Sequence, residues 1–121
     1  MDSTSLPIVI PSQPLLPGDL SQFRNNPFEN VIKFAVDIEK NILALGGEMH
    51  ADAESLLLEN GSRQEAIWGG NLWPWENPIL IETISLINIR PSQNNRGMEI
   101  EDETIKKTIQ TIVYHWIKLW S

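Results

Sequence analysis

The chain has no cysteine, which removes disulfides, thiol nucleophiles and thiolate metal sites together. A metal ion would have to be held by carboxylates and imidazole, and imidazole is scarce too: the 121 residues contain 2 histidines, His50 and His115. Basic side chains are the next shortage. Lysine and arginine number 9 against 16 acids, a net charge of -7. That charge repels phosphate backbones and forgoes the counterion release behind most nucleic-acid affinity, so nucleic acid is not an expected partner. Long apolar runs are missing as well. The opening MDSTSLPIVIPSQPLLPG has no basic leader region and its apolar stretches are broken by prolines. Neither a signal peptide nor a membrane span is expected, and cytoplasmic residence without a membrane partner follows. No internal repeat or low-complexity tract occurs, and no motif asks for a cofactor.

What is present fits a compact protein. With 41% hydrophobic and 21% charged residues, a chain of this length buries enough surface for a core without staples. Residues 1–13 read as a loose N-terminal segment, with a short edge strand at IVI (8–10), and residues 14–121 as a single α+β domain. Asp19 caps a short helix carrying Leu20 and Phe23 and ending near NNP. From 32 to 38 the period becomes two. Ile32, Phe34, Val36 and Ile38 alternate with Lys33 and Asp37, the pattern of a half-buried strand. A loop over 38–41, with Asn41 in a left-handed conformation, pairs Asp37 with Ile42, Val36 with Leu43 and Phe34 with Leu45.

The next segment, GGEMHADAESLLLENGS, places Glu48, His50, Asp52 and Glu54 at alternate positions. On a strand these four share one face, while uncharged Leu43, Leu45, Met49, Ala51, Ala53 and Leu57 share the other. On a helix the four would scatter over more than half the circumference. The alternation predicts a strand, and Asn60-Gly61 is the strongest short hairpin signal, setting Ala53 opposite Trp68 and His50 opposite Asn71. ILIETISLINI (79–89), apolar on both faces, predicts a covered fourth strand ended by Pro91. Asp102 caps a final helix whose Ile105, Ile109, Ile112, Val113, Trp116 and Trp120 recur at three- and four-residue intervals. The expected fold is an antiparallel four-stranded meander sheet, with a short N-terminal helix and a long amphipathic C-terminal helix packed on one face.

VDIEKNILALGGEMHADAESLLLENGSRQEAIWGGN, followed by SLINIRP and NNR, resembles a family of small bacterial proteins, frequent in cyanobacteria, catalogued as a domain of unknown function. The likeness covers roughly residues 31–113. It implies glycine where this chain has Asn41 and often cysteine where it has Ala53. Neither departure touches the polar row. The resemblance carries no activity and transfers no catalytic residue.

Chemistry on this chain begins with that row. Side chains two apart on a strand lie near enough for His50 with Glu48 or Asp52 to hold a hard or borderline metal or to share a proton. The plain alternative is a solvated or salt-bridged face. A metal site gathers ligands from several elements, and the expected register brings only Asn71 and Trp73 alongside. If the face is covered, its carboxylates need cations, and Arg90 and Arg96 are the natural donors. The sharper reading of the 90–96 loop makes Arg90, Asn94, Asn95 and Arg96 a pocket for a small anion. Trp73 and Trp75, beside prolines in LWPWENP, are candidates for an interface, including self-association as a homodimer. No Ser-His-Asp arrangement is discernible. The expectation is a small binding module that engages a small polar ligand or a protein partner through the face around His50 and the 90–96 loop. The alternative is a small metal-assisted hydrolase centred on His50.

Overall fold

A computed structural model describes residues 7–23, 30–76 and 78–118. Among the described residues, five antiparallel strands, β1 (Ile8–Val9), β2 (Ile32–Asp37), β3 (Ile42–Gly46), β4 (Ile67–Trp73) and β5 (Leu80–Glu82), form one sheet in the order β1-β3-β2-β4-β5. Helix α1 (His50–Glu59) packs on one face of it. Helix α2 (Glu103–Trp116) and a 3-10 segment (Pro17–Phe23) pack on the other.

The β2–β3 hairpin has the register its alternation predicts: Asp37 opposite Ile42, Val36 opposite Leu43 and Phe34 opposite Leu45. Its turn is closed locally. The buried Asp37 carboxylate accepts the N–H groups of Glu39 and Lys40 at 2.8 and 3.0 Å, and Asn41 takes φ of 58°, a conformation asparagine tolerates better than most residues. Ile8 and Val9 pair with Gly46 and Leu45 as an edge strand. Asp19 lies inside the 3-10 segment, where its carboxylate accepts the N–H of Leu16 at 2.9 Å. Leu20 and Phe23 are buried from that segment. The NNP motif and Trp120 fall outside the described residues.

The strand expected after the double glycine is instead helix α1. Gly46 and Gly47, at φ of 110° and 88°, turn the chain out of the sheet, and the Asp52 carboxylate accepts the N–H of Met49 at 3.2 Å to close the first turn. Intrinsic preference then carries the helix through Ala51, Ala53, Glu54 and the leucines. Asn60-Gly61 stops it and makes no hairpin. Gly61, at φ of 94°, donates to Leu58 O at 3.1 Å and Ser62 donates to Leu57 O at 3.0 Å, the paired bonds of a Schellman ending.

With 50–59 helical, the meander is replaced by a crossover. The chain leaves β3, runs back over the sheet as α1, and enters β4 on the far side of β2. The partner of β4 is therefore β2, with Val36 opposite Trp68, Ala35 opposite Gly69 and Phe34 opposite Gly70. Alternation on these strands sorts the two cores. Phe34, Val36, Leu43, Leu45, Trp68 and Leu72 face α2, meeting Ile109, Ile112 and Val113. Ala35, Ala44 and Ile67 face α1, meeting Ala53 and Leu57. Burying Leu57 contributes about 2 kcal/mol, and the alanines on both surfaces leave the helix room to lie close. Helix α2 starts at Asp102, whose Oδ1 accepts the N–H groups of Thr104 and Ile105 at 2.8 and 3.2 Å.

The fourth strand is shorter than its apolar run predicts. Only Leu80–Glu82 pairs with β4. The chain then turns away through a 3-10 turn (Leu86–Asn88) whose entry is capped by the Ser85 hydroxyl accepting from Ile87 N at 3.2 Å. Where β5 stops, the fully buried Asn88 side chain takes its place. Its Oδ1 accepts from Gly69 N at 2.8 Å and its Nδ2 donates to Gly69 O at 3.0 Å, as a neighbouring strand would. Gly69 must be small here, because a Cβ would meet Ile87 and Ser85 side-chain atoms at 2.9 Å. No helix among the described residues is long and apolar enough to cross a membrane.

Candidate functional site

Because 50–59 is a helix, the charged row does not share a face. Residues four apart do: His50 and Glu54 both point toward the 84–93 segment, while Asp52 is exposed at the first turn of α1, with its carboxylate on Met49 N. Glu48 is exposed just before the helix. Among the described residues no group of three or more His, Asp or Glu side chains could hold a metal ion. Nothing in this arrangement favours the metal-assisted hydrolase.

His50, the first residue of α1, leans onto the end of β4. Its Nε2 lies 2.8 Å from Gly70 O and 3.0 Å from Asn71 Oδ1. A backbone oxygen accepts, so Nε2 carries the hydrogen and donates. The Asn71 amide is oriented by its other end, where Nδ2 donates to Ile84 O at 3.4 Å and to Glu82 Oε1 at 3.5 Å. Glu82 Oε1 also accepts the Trp73 indole N–H at 2.8 Å. A polar chain thus runs Trp73, Glu82, Asn71, His50 across the β4–β5 end of the sheet. Burial pushes the His50 pKa below its ordinary 6.5 against the opposing pull of the Gly70 and Asn71 bonds, and nearby Lys33 pushes it the same way. The imidazole is neutral near pH 7, in the Nε2–H form.

The ring lines a cleft of about 240 Å³ together with Met49, Ala51, Leu86 and Ile87 and the charged Lys33 and Glu48. Lys33 stands opposite Asn71 in the β2–β4 register. Burial lowers its pKa from 10.5, and the negative charge of Glu48 opposes that shift.

Leu86 and Ile87 also form one wall of a neighbouring cleft of about 450 Å³, bounded by Glu54, Gln64, Glu65 and Arg90. Arg90 is the clamp of this region. Its Nε donates to Ile87 O at 3.1 Å, Nη1 to Gln64 O at 2.8 Å and Nη2 to Glu54 Oε2 at 3.4 Å. Its guanidinium carbon lies 4.9 Å from the centroid of the Trp68 ring. Burial lowers its pKa from the ordinary guanidinium value, opposed by the charges of Glu54 and Glu65. The sequence pairing of Arg90 with the acidic row is therefore made, through Glu54.

The rest of the 90–96 loop is differently used. Asn95 is buried and structural: Nδ2 donates to Asn88 O, Gly97 O and Glu99 O at 2.8, 3.0 and 3.2 Å, and Oδ1 accepts from Glu101 N at 2.9 Å. Asn94 is an exposed turn residue at φ of 63°, and Arg96 is exposed beyond it. Their side chains are not gathered with the Arg90 guanidinium around either cleft. Of the two interface candidates, Trp73 is held by Glu82, and Trp75 packs partly buried against the α2-side core.

Sequence reasoning missed Lys33, Asn88 and the Leu86–Ile87 wall. The alternation of β2 put Lys33 on the polar side of its strand, and a lone amide inside SLINI is the signal that marks Asn88. The exposure of Leu86, at 68%, left no trace in an apolar run.

Fold and site together define a small α+β protein whose antiparallel sheet lies between two helices, with a half-buried imidazole and a half-buried guanidinium lining adjoining surface clefts. The chain belongs to the family described as a protein of unknown function, DUF5674, whose pattern matches residues 9–116. Searches of the curated proteins and of the solved structures return no match.

Proposed function

We propose that the protein is a binding module, and that its binding face is the first turn of α1 together with the 84–93 segment. The observation that carries this reading is the meeting of the two clefts at Leu86 and Ile87, with His50 and Arg90 each pinned by bonds to backbone oxygens. A polar group held in this way is pre-organised, so a ligand bears less of the ordering cost on binding. Concave, mostly apolar walls with few fixed polar groups are the usual form of a small-molecule site, and the smaller cleft has such walls, while the larger is lined chiefly by polar side chains. The occupant is a small polar ligand; a protein partner is the second occupant that exposed Met49, Leu86 and Ile89 would accept.

The test is a titration of the ¹⁵N-labelled chain with a library of small polar compounds, read by amide shifts. Binders should perturb residues 49–51 and 85–90 as one group. Ala51→Trp, at an exposed position that lines the smaller cleft, should weaken them by about tenfold without unfolding the chain. Binders that perturb only the α2 side of the sheet would place the site elsewhere and end the proposal.

A further inference from the structure

We propose that the small polar ligand of the smaller cleft is a neutral aromatic of one or two rings whose polar group is a single O–H or N–H donor, of the phenol or indole class, with the unprotonated Nδ1 of His50 as acceptor. This rests on the binding face proposed above and names the chemistry it selects.

Three observations converge. Because Nε2 is committed as a donor to Gly70 O and Asn71 Oδ1, a neutral imidazole keeps its lone pair on Nδ1, and among the described residues Nδ1 takes up no hydrogen bond. An acceptor without a partner on an apolar-walled surface favours a ligand that supplies the donor and penalises one that buries the nitrogen without it. The walls also set the body of the ligand. Met49, Ala51, Leu86 and Ile87 are apolar, and Met49 is 57% exposed, a polarisable thioether suited to the edge of an aromatic ring. The volume of about 240 Å³ compares with the roughly 150 Å³ that accommodates benzene in an apolar cavity, so one or two fused rings fit. Finally, Lys33 and Glu48 bring opposite charges to the lining and interact with each other. Their fields offset, and no net ligand charge is selected.

The experiment uses the full ¹⁵N-labelled chain at pH 7.5. Phenol and indole are each compared with a methylated counterpart, anisole or N-methylindole, by long-range ¹H–¹⁵N spectra that resolve the His50 ring nitrogens. Phenol and indole should shift Nδ1 upfield while Nε2 stays nearly fixed, and should bind about tenfold more tightly than the methylated probes. In His50→Phe, which keeps a ring but no acceptor, that preference should vanish. Should this variant fail to fold, Ala51→Trp supplies the control by filling the cleft and abolishing the Nδ1 shift. Methylated probes that bind equally well in the cleft would overturn the assigned class and leave the binding face standing. Probes that leave the cleft residues unmoved while other small molecules bind there would do the same. If nothing in either titration perturbs this face, both proposals fall together.

Discussion

Asn88 is the residue on which the site's geometry most depends, and Asn88→Ala is the substitution that measures it. The side chain is fully buried. It holds Gly69 N and Gly69 O at 2.8 and 3.0 Å, Met98 O at 3.1 Å and Thr83 O at 3.4 Å. Alanine leaves Gly69 N–H and Gly69 O without partners beneath the 84–93 segment, at about 1–3 kcal/mol for each buried group stranded, while Met98 O and Thr83 O keep the N–H groups of Ser85 and Ile100, each at 3.1 Å. Water entering the vacated space restores part of this, so the expected loss is about 2–4 kcal/mol. That is a large share of the roughly 5–15 kcal/mol that stabilises a domain of this kind. Asn88→Asp separates the two ends of the amide. It keeps the acceptor for Gly69 N but turns a second oxygen toward Gly69 O and Met98 O, so near pH 7 it should cost at least as much as alanine, and part of the loss should return in acid as the carboxyl protonates. Urea unfolding followed by tryptophan fluorescence measures both. An Asn88→Ala stability within 0.5 kcal/mol of wild type, with an unchanged urea dependence, would refute the account of Asn88 as the substitute for a missing strand.

Three other outcomes follow from the same structure. The lowered His50 pKa means that the folded chain binds its proton less readily than the unfolded chain, so this residue's contribution to stability is complete above about pH 6.5 and declines as pH falls from there through the folded pKa; His50→Gln should flatten that part of a pH series of melting temperatures, and an unchanged slope would contradict the assignment. Gly61→Ala forces a side chain into φ of 94° at the end of α1 and should cost about 1 kcal/mol in urea unfolding, with faster amide exchange in the last turn of the helix; a neutral result would mean that the Schellman ending does not form. Arg90→Lys cannot reach Ile87 O, Gln64 O and Glu54 together, so it should lose about 1–2 kcal/mol and broaden the amide signals of residues 85–93; a spectrum identical to wild type would remove Arg90 from its clamping role.

The hairpin and α2 were legible because both are local. Alternation along β2, a short turn with Asn41, and an Asp102 cap ahead of a three- and four-residue apolar repeat each commit the chain within one neighbourhood of residues. The segment after the double glycine was not, for two reasons. Helix α1 buries only Ala53 and Leu57, a stripe too narrow to register as a helical period, and its polar residues happen to fall two apart. Asn60-Gly61 was ambiguous as well: left-handed glycine serves a hairpin and a helix ending alike, and local chemistry does not choose between them. The candidate site inherited the error. His50, Glu54, Asn71 and Arg90 are brought to one region, but by a helix crossing the sheet, and Asn95 is drawn into the scaffold.

The sequence by itself determined the class of the protein, the registered hairpin, the final helix and the absence of thiol chemistry, all of which follow from composition and short-range pattern. Tertiary structure decided that β4 pairs with β2 across an intervening helix, that β5 ends early with Asn88 completing its edge, and that His50 faces a cleft with one nitrogen committed. These are contacts between residues 19 to 36 positions apart. Which of them form depends on which surfaces can be buried together, a competition settled over the whole chain and not within any stretch of it.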